Sequence, residues 1–352
     1  MFFEGIVRWI FPAIFGAAFF SFIASFVIVR VAKKAKAVRF PGGRHEHKQP
    51  VPLWGGIAIA IAFLVGVLIY PELVLTSKII AIVIGFLVLV VMGMIDDVRS
   101  LPWWVELMGQ GLAAAFVVLG GASLEYVNNP FGGAIDLSVI RIANPFLECG
   151  EASCTIPVLG ALVTTVWILG VINAFNWFDG SDGVASTIGL LALSALALLS
   201  LRADIMQPAI AILAALVAGG ILGLLPFNLP PAKLFLGTSG AMGIGFLIAS
   251  FAVVAGAKVA TAGLALVLPA ADMAFVLFLR LREKAPLVLP DTRHFHFWLK
   301  QKGWGDWSVM IFFAGTSFLF AVAAIFLPVY LKALVLAVGF GVLLLWFLKT
   351  RL

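Results

Sequence analysis

Charged residues are scarce in this chain: Asp, Glu, Lys and Arg make up 11% of the 352 residues, whereas 63% are hydrophobic. A soluble domain carries about a quarter charged residues, so this scarcity excludes an ordinary soluble fold. Apolar runs of ~20 residues recur along the chain and predict membrane-spanning helices. Strands of a membrane barrel would instead alternate apolar and polar residues. The sequence therefore predicts an all-α integral membrane protein with one polytopic domain over 1–352, and its net charge of +6 does not indicate nucleic-acid binding.

Cysteine is nearly absent, and the only two, Cys149 and Cys154, lie in the segment 122–157. An oxidising exterior would permit a disulfide there. A metal site is the weaker interpretation, because no histidine lies nearby. Short alternating pieces in the same segment, such as 134–138, favour a small β-hairpin.

Two further features are absent from the sequence. No internal repeat is present, which weakens the interpretation as an inverted-repeat transporter. The first apolar run is long and lacks a small-residue cleavage site, so we expect no cleavable signal peptide.

The hydropathy pattern predicts eleven spans, namely 10–31, 53–70, 78–95, 104–121, 158–173, 184–201, 207–225, 239–257, 259–280, 308–327 and 329–348. If the loop after the first span is cytoplasmic, most of the 23 lysines and arginines fall on the inner side, as the positive-inside rule requires. We therefore expect the N-terminus outside and the C-terminus in the cytoplasm. The cytoplasmic connections are then 32–52, 96–103, 174–183, 226–238 and 281–307. The basic residues Lys33, Lys34, Lys36 and Arg39 are interpreted as attracting anionic headgroups.

The most polar short run is 173–183, Asn-Ala-Phe-Asn-Trp-Phe-Asp-Gly-Ser-Asp-Gly. A helical turn would place Asp179 and Asp182 on one face, and the glycine after each one permits a close backbone approach to a ligand. Ionisable groups at membrane depth are costly and indicate a functional site. The alternative is a solvated turn, since Asn, Asp and Gly also favour turns.

Two more polar clusters fall on the same side. The adjacent carboxylates Asp96 and Asp97 suit a divalent cation or a general base, or form a solvated acidic helix end. In the segment 226–240, small residues open a helix whose free N–H groups are expected to face an anion, and Lys233 adds a charge for phosphate. Phe235 stacks on a base or packs against lipid.

The last inner loop contains His294 and His296, which suit phosphate or metal binding. The alternative is an amphipathic interfacial segment. Asp272, within the ninth predicted span, requires a cation or an active-site group as a partner. Together the clusters predict a Mg²⁺-assisted phosphate site at the inner membrane surface with access to lipid.

Five motifs, in this order, resemble the polyprenyl-phosphate N-acetylhexosamine-1-phosphate transferases, glycosyltransferase family 4. They are His47-Lys48-Gln-Pro-Val-Pro52-Leu-Trp-Gly55-Gly56, Asp96-Asp97, the run 173–183, Asn228…Pro231-Ala-Lys233-x-Phe235, and Pro290-Asp291-x-x-His294-x-His296. The resemblance implies transfer of a sugar-1-phosphate from a UDP-sugar to a polyprenyl phosphate such as undecaprenyl phosphate. UMP would leave and a lipid-linked cell-envelope glycan would begin. The alternating histidines resemble the branch that uses UDP-GlcNAc more than the muramoyl-pentapeptide branch.

The resemblance also implies residue roles. Asp96 corresponds to the residue that deprotonates the lipid phosphate, with Asp97 beside it. Asn176 and Asp179 match positions near Mg²⁺ (Mn²⁺ is an alternative) and the nucleotide, and Asp182 lies in the same pocket. The expected substrate-binding residues are Lys48, Asn173, Asn228, Lys233, Phe235, His294 and His296.

Two positions depart from the family pattern. Thr238 replaces the metal-binding Asp of Gly-Asp-x-Gly-Ser, which leaves a neutral hydroxyl as the candidate metal ligand. Phe297 replaces a third histidine. These departures motivate an alternative, a catalytically silent homologue that binds lipid phosphate or nucleotide sugar; a transporter that uses Asp272 is a more distant one. The expected partners are the bilayer, both substrates and a second copy of the chain, and the expected location is the plasma membrane.

Overall fold

Helices account for most of the structure. The computed structural model of the chain describes residues 2–40, 49–129, 133–149, 152–203, 205–255, 259–286 and 293–351. Its helices are α1 (Phe2–Gly5), α2 (Phe11–Lys34), α3 (Gly55–Ile69), α4 (Ser77–Val98), α5 (Trp103–Leu119), α6 (Val158–Phe178), α7 (Val184–Ser200), α8 (Pro208–Asn228), α9 (Gly237–Val254), α10 (Val259–Ala265), α11 (Val267–Arg282), α12 (Phe295–Gln301), α13 (Asp306–Phe326) and α14 (Val329–Arg351). A π-helical stretch, Ile6–Ile10, joins α1 to α2.

Each of the eleven predicted spans coincides with one of these helices or with the α10–α11 pair. Within the described residues, seven helices are long and apolar enough to cross a membrane, and the bent α10–α11 pair would make an eighth. The helices α3, α5 and α7 are shorter apolar helices of 10–17 residues. The expectation of an all-α integral membrane protein is confirmed.

The segment 259–280 was predicted as one continuous span, and this is wrong: the chain bends by 76° between α10 and α11. Pro269 lies in the first turn of α11. Proline has no N–H to donate to the carbonyl four residues earlier, which belongs to Ala265, the last residue of α10. A continuous helix is therefore disfavoured at this point.

Three helices continue past the boundaries that hydropathy predicts. The segments 174–183, 226–238 and 96–103 were predicted as connections, but α4, α6 and α8 extend into them. Asp96, Asp97, Asn176 and Asn228 consequently lie on final helical turns. Hydropathy falls at the first polar residues, whereas backbone hydrogen bonding continues through them.

The helices α8 and α9 form the centre of the molecule, because 83% and 89% of the residues in their most apolar 18-residue stretches are buried. α2, α3 and α7 pack around α8, and α4 and α6 pack around α9. Glycine permits the closest approach: a β-carbon at Gly93 of α4 would collide with the backbone of Ser239 on α9. Such close packing brings the end of α4 against the start of α9.

The segment 122–157 forms two antiparallel hairpins where one was predicted. The strands of the chain are β1 (Val38–Arg39), β2 (Val51–Pro52), β3 (Tyr126–Asn128), β4 (Ala134–Asp136), β5 (Arg141–Cys149) and β6 (Ala152–Pro157). β3 pairs with β4, β5 with β6, and β1 with β2. Cys154 is disulfide-bonded, in agreement with the expectation of an oxidised loop.

Candidate active site

The acidic pair at the end of α4 lies against the first turn of α9. The Thr238 N–H donates to Asp97 Oδ1 at 2.9 Å, and the Thr238 hydroxyl donates to Asp96 Oδ2 at 2.8 Å. Ser239 Oγ lies 3.4 Å from Asp97 Oδ2, and the Leu101 N–H donates to Asp96 Oδ1 at 2.8 Å. The first N–H groups of a helix lack intrahelical partners, and a helix N-terminus stabilises negative charge. α9 therefore holds two carboxylates that would be unfavourable at the C-terminal end of α4 alone.

The contact between α9 and Asp97 explains the glycine at position 237. Gly237 has φ +74°, and a β-carbon there would lie 2.5 Å from Asp97 Oδ2. Only glycine tolerates both that conformation and that proximity. The sequence predicted that the N–H groups of 237–240 face an anion, and the structure shows that Asp97 is an anion that one of them binds.

The turn before α3 fixes the segment that carries Phe235. The Phe235 N–H donates to the Pro52 carbonyl at 2.8 Å, and the Gly55 N–H donates to the Phe235 carbonyl at 2.9 Å. Trp54 Nε1 donates to the carbonyl of Met94 on α4 at 3.3 Å. Phe235 is half-buried and Lys233 is exposed. Lys48, a predicted substrate contact, lies outside the described residues.

The turn between α6 and α7 contains the second pair of acids. Asp179 caps α6, and Gly183, with φ +71°, precedes α7. The expectation that Asp179 and Asp182 share a helical face is wrong, because this glycine-rich segment leaves the helix. Asp182 Oδ2 accepts the Ala232 N–H at 2.9 Å and ties the turn to the α8–α9 connection. The Asp179 carboxylate accepts no hydrogen bond from the part of the chain that the structure describes.

Asp179 is influenced by one arginine and by two other carboxylates. Burial raises the pKa of Asp179 to about 7; the positive charge of Arg39 opposes the shift, and the carboxylates of Asp97 and Asp182 add to it. Asp97 and Asp179, which the sequence separates widely, are thus close enough to influence each other. Arg39 also lies within electrostatic range of the acids, a placement that its assignment to lipid headgroups did not predict.

Two predicted substrate-binding amides are used within the protein. The buried Asn228 accepts a hydrogen bond from Ser186 Oγ at 2.7 Å and donates to the Leu234 carbonyl at 3.0 Å. Asn173 donates to Gln110 Oε1 at 2.6 Å and receives a hydrogen bond back from the Gln110 amide at 3.3 Å. Sequence reasoning missed Gln110 and Ser186. A single glutamine within an apolar helix was the available signal, since an amide at membrane depth requires a partner.

Asp272 positions the histidine segment. His294 Nδ1 lies 2.6 Å from Asp272 Oδ2, and the Phe295 N–H donates to Asp272 Oδ1 at 2.7 Å. Asp272 is 1% exposed and His294 5% exposed. The intramembrane carboxylate therefore has a partner, as the sequence predicts, and the assignment of His294 to the active site stays a prediction.

The histidine segment packs directly against the Asp179 turn. The rings of His294 and His296 are stacked at a centroid distance of 5.8 Å. The buried His296 also contacts Phe178 edge-on, at 6.0 Å. A β-carbon at Gly180 would overlap the His296 ring. The glycine after Asp179 therefore makes room for this histidine.

The donor set suits Mg²⁺ held jointly with a substrate. Among the described residues, no group of three or more His, Cys, Asp or Glu side chains is arranged to hold a metal ion. Mg²⁺ usually binds one or two carboxylates together with substrate phosphates and water, so a complete protein cage is not required. Asp179 supplies a carboxylate at the C-terminal end of α6, and Asn176 lies on the last turn of that helix. The Thr238 hydroxyl donates a hydrogen bond to Asp96. A contact between its oxygen and the metal stays a prediction.

Comparison with known proteins identifies the family. Residues 79–256 match the family model described as glycosyl transferase family 4. A probable undecaprenyl-phosphate N-acetylglucosaminyl 1-phosphate transferase of Bacillus subtilis is 30% identical over 311 residues, which is 86% of this chain and 80% of that protein. The chain belongs to glycosyl transferase family 4.

Both branches of family 4 occur among the relatives. An undecaprenyl-phosphate alpha-N-acetylglucosaminyl 1-phosphate transferase of Thermotoga maritima is 26% identical over 86% of each chain. A phospho-N-acetylmuramoyl-pentapeptide-transferase of Staphylococcus haemolyticus is 25% identical over 84% of this chain and 92% of that protein. The family predicted from the motifs is confirmed.

Proposed function

We propose that this family 4 protein transfers N-acetylglucosamine-1-phosphate from a UDP-sugar to undecaprenyl phosphate or a related polyprenyl phosphate. The supporting observation is the convergence of Asp97, Asp179 and the His294–His296 segment at one end of the helical bundle. The names of the Bacillus subtilis and Thermotoga maritima relatives support this sugar and lipid. The alternating histidines support the same branch.

The reaction requires one bond to form and one to break. An oxygen of the lipid phosphate attacks the β-phosphorus of the UDP-sugar, and the bond from that phosphorus to the bridging oxygen breaks, so that UMP leaves. Asp96 is assigned to accept a proton from the lipid phosphate, and the adjacent Asp97 is fixed by α9. We favour direct attack without an aspartyl intermediate, because phosphoryl transfer requires chiefly positioning and charge stabilisation.

The nucleotide and metal are assigned to residues other than the Asp96–Asp97 pair. Mg²⁺, or Mn²⁺ in its place, would neutralise charge on the diphosphate, and Asn176 and Asp179 would hold it. His294, His296 and Lys233 are assigned to the diphosphate oxygens, and Phe235 to the nucleoside. Asn228 and Asp182 stabilise the connections around the site through the hydrogen bonds described above, and Asn173 joins α6 to Gln110 of α5.

The distribution of basic residues supports a cytoplasmic site. Lys and Arg concentrate on the loops at the end of the helices that carries the acids, as the positive-inside rule describes for cytoplasmic loops. UDP-sugars are soluble and charged, whereas the lipid phosphate is confined to the membrane. A site at the inner surface meets both substrates.

Release of UMP by the purified protein tests the proposal. The full chain in detergent is supplied with undecaprenyl phosphate and a panel of UDP-N-acetyl sugars, with and without Mg²⁺. We expect release that requires the metal and both substrates and is fastest with UDP-N-acetylglucosamine. Binding of a UDP-sugar without turnover under any of these conditions would contradict the proposal and favour the silent homologue, whereas transport is favoured by neither relatives nor geometry.

A further inference from the structure

An apolar surface lies at the end of the bundle opposite the acidic site, next to the disulfide-bonded hairpin. Val139 is 81% exposed, Ile140 65%, Ile142 54% and Phe146 70%. We call these four side chains the hairpin surface. Soluble surfaces seldom leave so many large apolar side chains exposed within eight residues, so the group indicates a contact with membrane or protein.

The hairpin is attached to the ends of two helices. The Val158 N–H, at the first residue of α6, donates to the Ile140 carbonyl at 2.9 Å. Asn144 Nδ2 donates to the carbonyl of Leu119, the last residue of α5, at 2.9 Å. These two bonds hold β5 across the helix ends, at the level where the predicted spans leave the membrane.

The hairpin surface continues an exposed apolar stripe on α6. Val158, Leu159, Leu162 and Val166 are each at least 40% exposed, and α6 is long and apolar enough to cross a membrane. Exposed apolar residues on such a helix face the acyl chains. The start of this stripe is bonded to Ile140, so the hairpin surface and the lipid-facing stripe adjoin.

The charge of this segment is neutralised within the loop. Arg141 is the only charged residue between 137 and 147. Its guanidinium lies 2.9 Å from Glu125 Oε1 and donates to Thr155 Oγ1 at 3.2 Å. A paired arginine between apolar side chains is compatible with the interfacial region of a bilayer, where buried polar groups require partners.

We propose that the β5–β6 hairpin docks onto the lipid surface, with Val139, Ile140, Ile142 and Phe146 inserted at the boundary between headgroups and acyl chains. The inference does not depend on the chemistry assigned to the opposite end. Lipid is the occupant that the adjoining α6 stripe supports, whereas a second copy of the chain or another protein would exclude lipid from these residues.

Spin labels at single cysteines test the proposal in the full chain, in vesicles of phosphatidylethanolamine and phosphatidylglycerol. The variants are Val139→Cys and Phe146→Cys, with Leu162→Cys as the lipid-facing control and Asp136→Cys, on exposed β4, as the water-facing control. Labelling proceeds without reductant, since Cys154 is disulfide-bonded. The power saturation of each label is measured with oxygen, which concentrates in lipid, and with a water-soluble nickel chelate.

We expect the oxygen-to-nickel accessibility ratio at Val139 and Phe146 to exceed that at Asp136 by several-fold and to approach that at the deeper Leu162. Ratios equal to that of Asp136 would show a water-exposed loop and overturn the proposal. Low accessibility to both reagents would show a protein contact and would overturn it equally. Size-exclusion profiles identical to that of the unlabelled chain establish that each variant is folded.

Discussion

The two acidic pairs of the site differ in how the protein holds them. Asp96 and Asp97 accept hydrogen bonds from Leu101, Thr238 and Ser239. Asp179, in contrast, lies within electrostatic range of Arg39 and of the carboxylates of Asp97 and Asp182, and its own carboxylate accepts no hydrogen bond within the described residues. The first pair is fixed by hydrogen bonds before substrate arrives, whereas the Asp179 carboxylate is left available to a metal ion. This difference favours a cation at Asp179 and a base at the fixed pair.

The largest effect is expected at the fixed pair. Asp96→Asn removes the proposed proton acceptor but retains an oxygen for the Leu101 N–H, so transfer should fall by ~10²–10⁴-fold, the usual contribution of general base catalysis. UMP release measures the loss, and thermal unfolding checks the fold. The control is Asp136→Asn at the far end, which should leave activity unchanged. Turnover of Asp96→Asn at the wild-type rate would show that Asp96 is not the proton acceptor.

The second test compares the Mg²⁺ requirement after substitution of Asp179 with that after substitution of Asp182. Asp179→Asn removes the carboxylate charge that is proposed to hold the metal, so half-maximal rate should require about tenfold more Mg²⁺, a loss of ~1.4 kcal/mol in binding. In the presence of a metal chelator, the unfolding temperature of the Asp179→Asn variant should not fall below that of the wild type, because the substitution removes a buried charge that is costly to keep in the folded state. Asp182→Asn keeps an oxygen for the Ala232 N–H and should leave the Mg²⁺ requirement unchanged. An equal shift in both variants would contradict the comparison.

The third test concerns the support of the histidine segment. Asp272→Asn should lower the rate ~10–100-fold, a range typical for residues that orient a functional histidine. Because Asp272 is proposed to act through His294, the double variant with His294→Asn should be little worse than the more severe single variant. Additive losses would mean that the two residues act independently. Stability in detergent is measured for all three variants.

The smallest effect is expected at Thr238. Three substitutions there distinguish the role of its hydrogen bond to Asp96 from a role in binding the metal. Thr238→Val loses the hydrogen bond to Asp96, worth ~1 kcal/mol, whereas Thr238→Ser keeps a hydroxyl and should retain near wild-type activity. Thr238→Asp adds a carboxylate and should lower the Mg²⁺ concentration for half-maximal rate. If Thr238→Asp leaves this concentration unchanged, the position does not touch the metal.

The sequence predicted much of the fold because membrane helices follow from local hydropathy. Both the helix positions and the polar clusters could be read from consecutive residues. The bend after Ala265 and the extension of α6 through Asn176 depend on backbone hydrogen bonding that hydropathy does not report.

The arrangement of the site was less predictable. Thr238 and Asp97 are separated by 141 residues, so their contact depends on how α4 and α9 pack. The same holds for His296 against Gly180 and for Arg39 near Asp179. The hydroxyl at position 238 could be read from the sequence, but its hydrogen bond to Asp96 could not.

The measurement that tests the central claim most directly follows two labels into the lipid product. UDP-N-acetylglucosamine carries radioactive phosphorus in its β-phosphate and radioactive carbon in its sugar, and the lipid is extracted after incubation with undecaprenyl phosphate, Mg²⁺ and the purified protein. The account predicts equal amounts of both labels in the lipid, ~10²–10⁴-fold less of both with Asp96→Asn, and unlabelled UMP in the aqueous phase. Carbon without phosphorus in the lipid, or neither label, would contradict transfer of a sugar-1-phosphate.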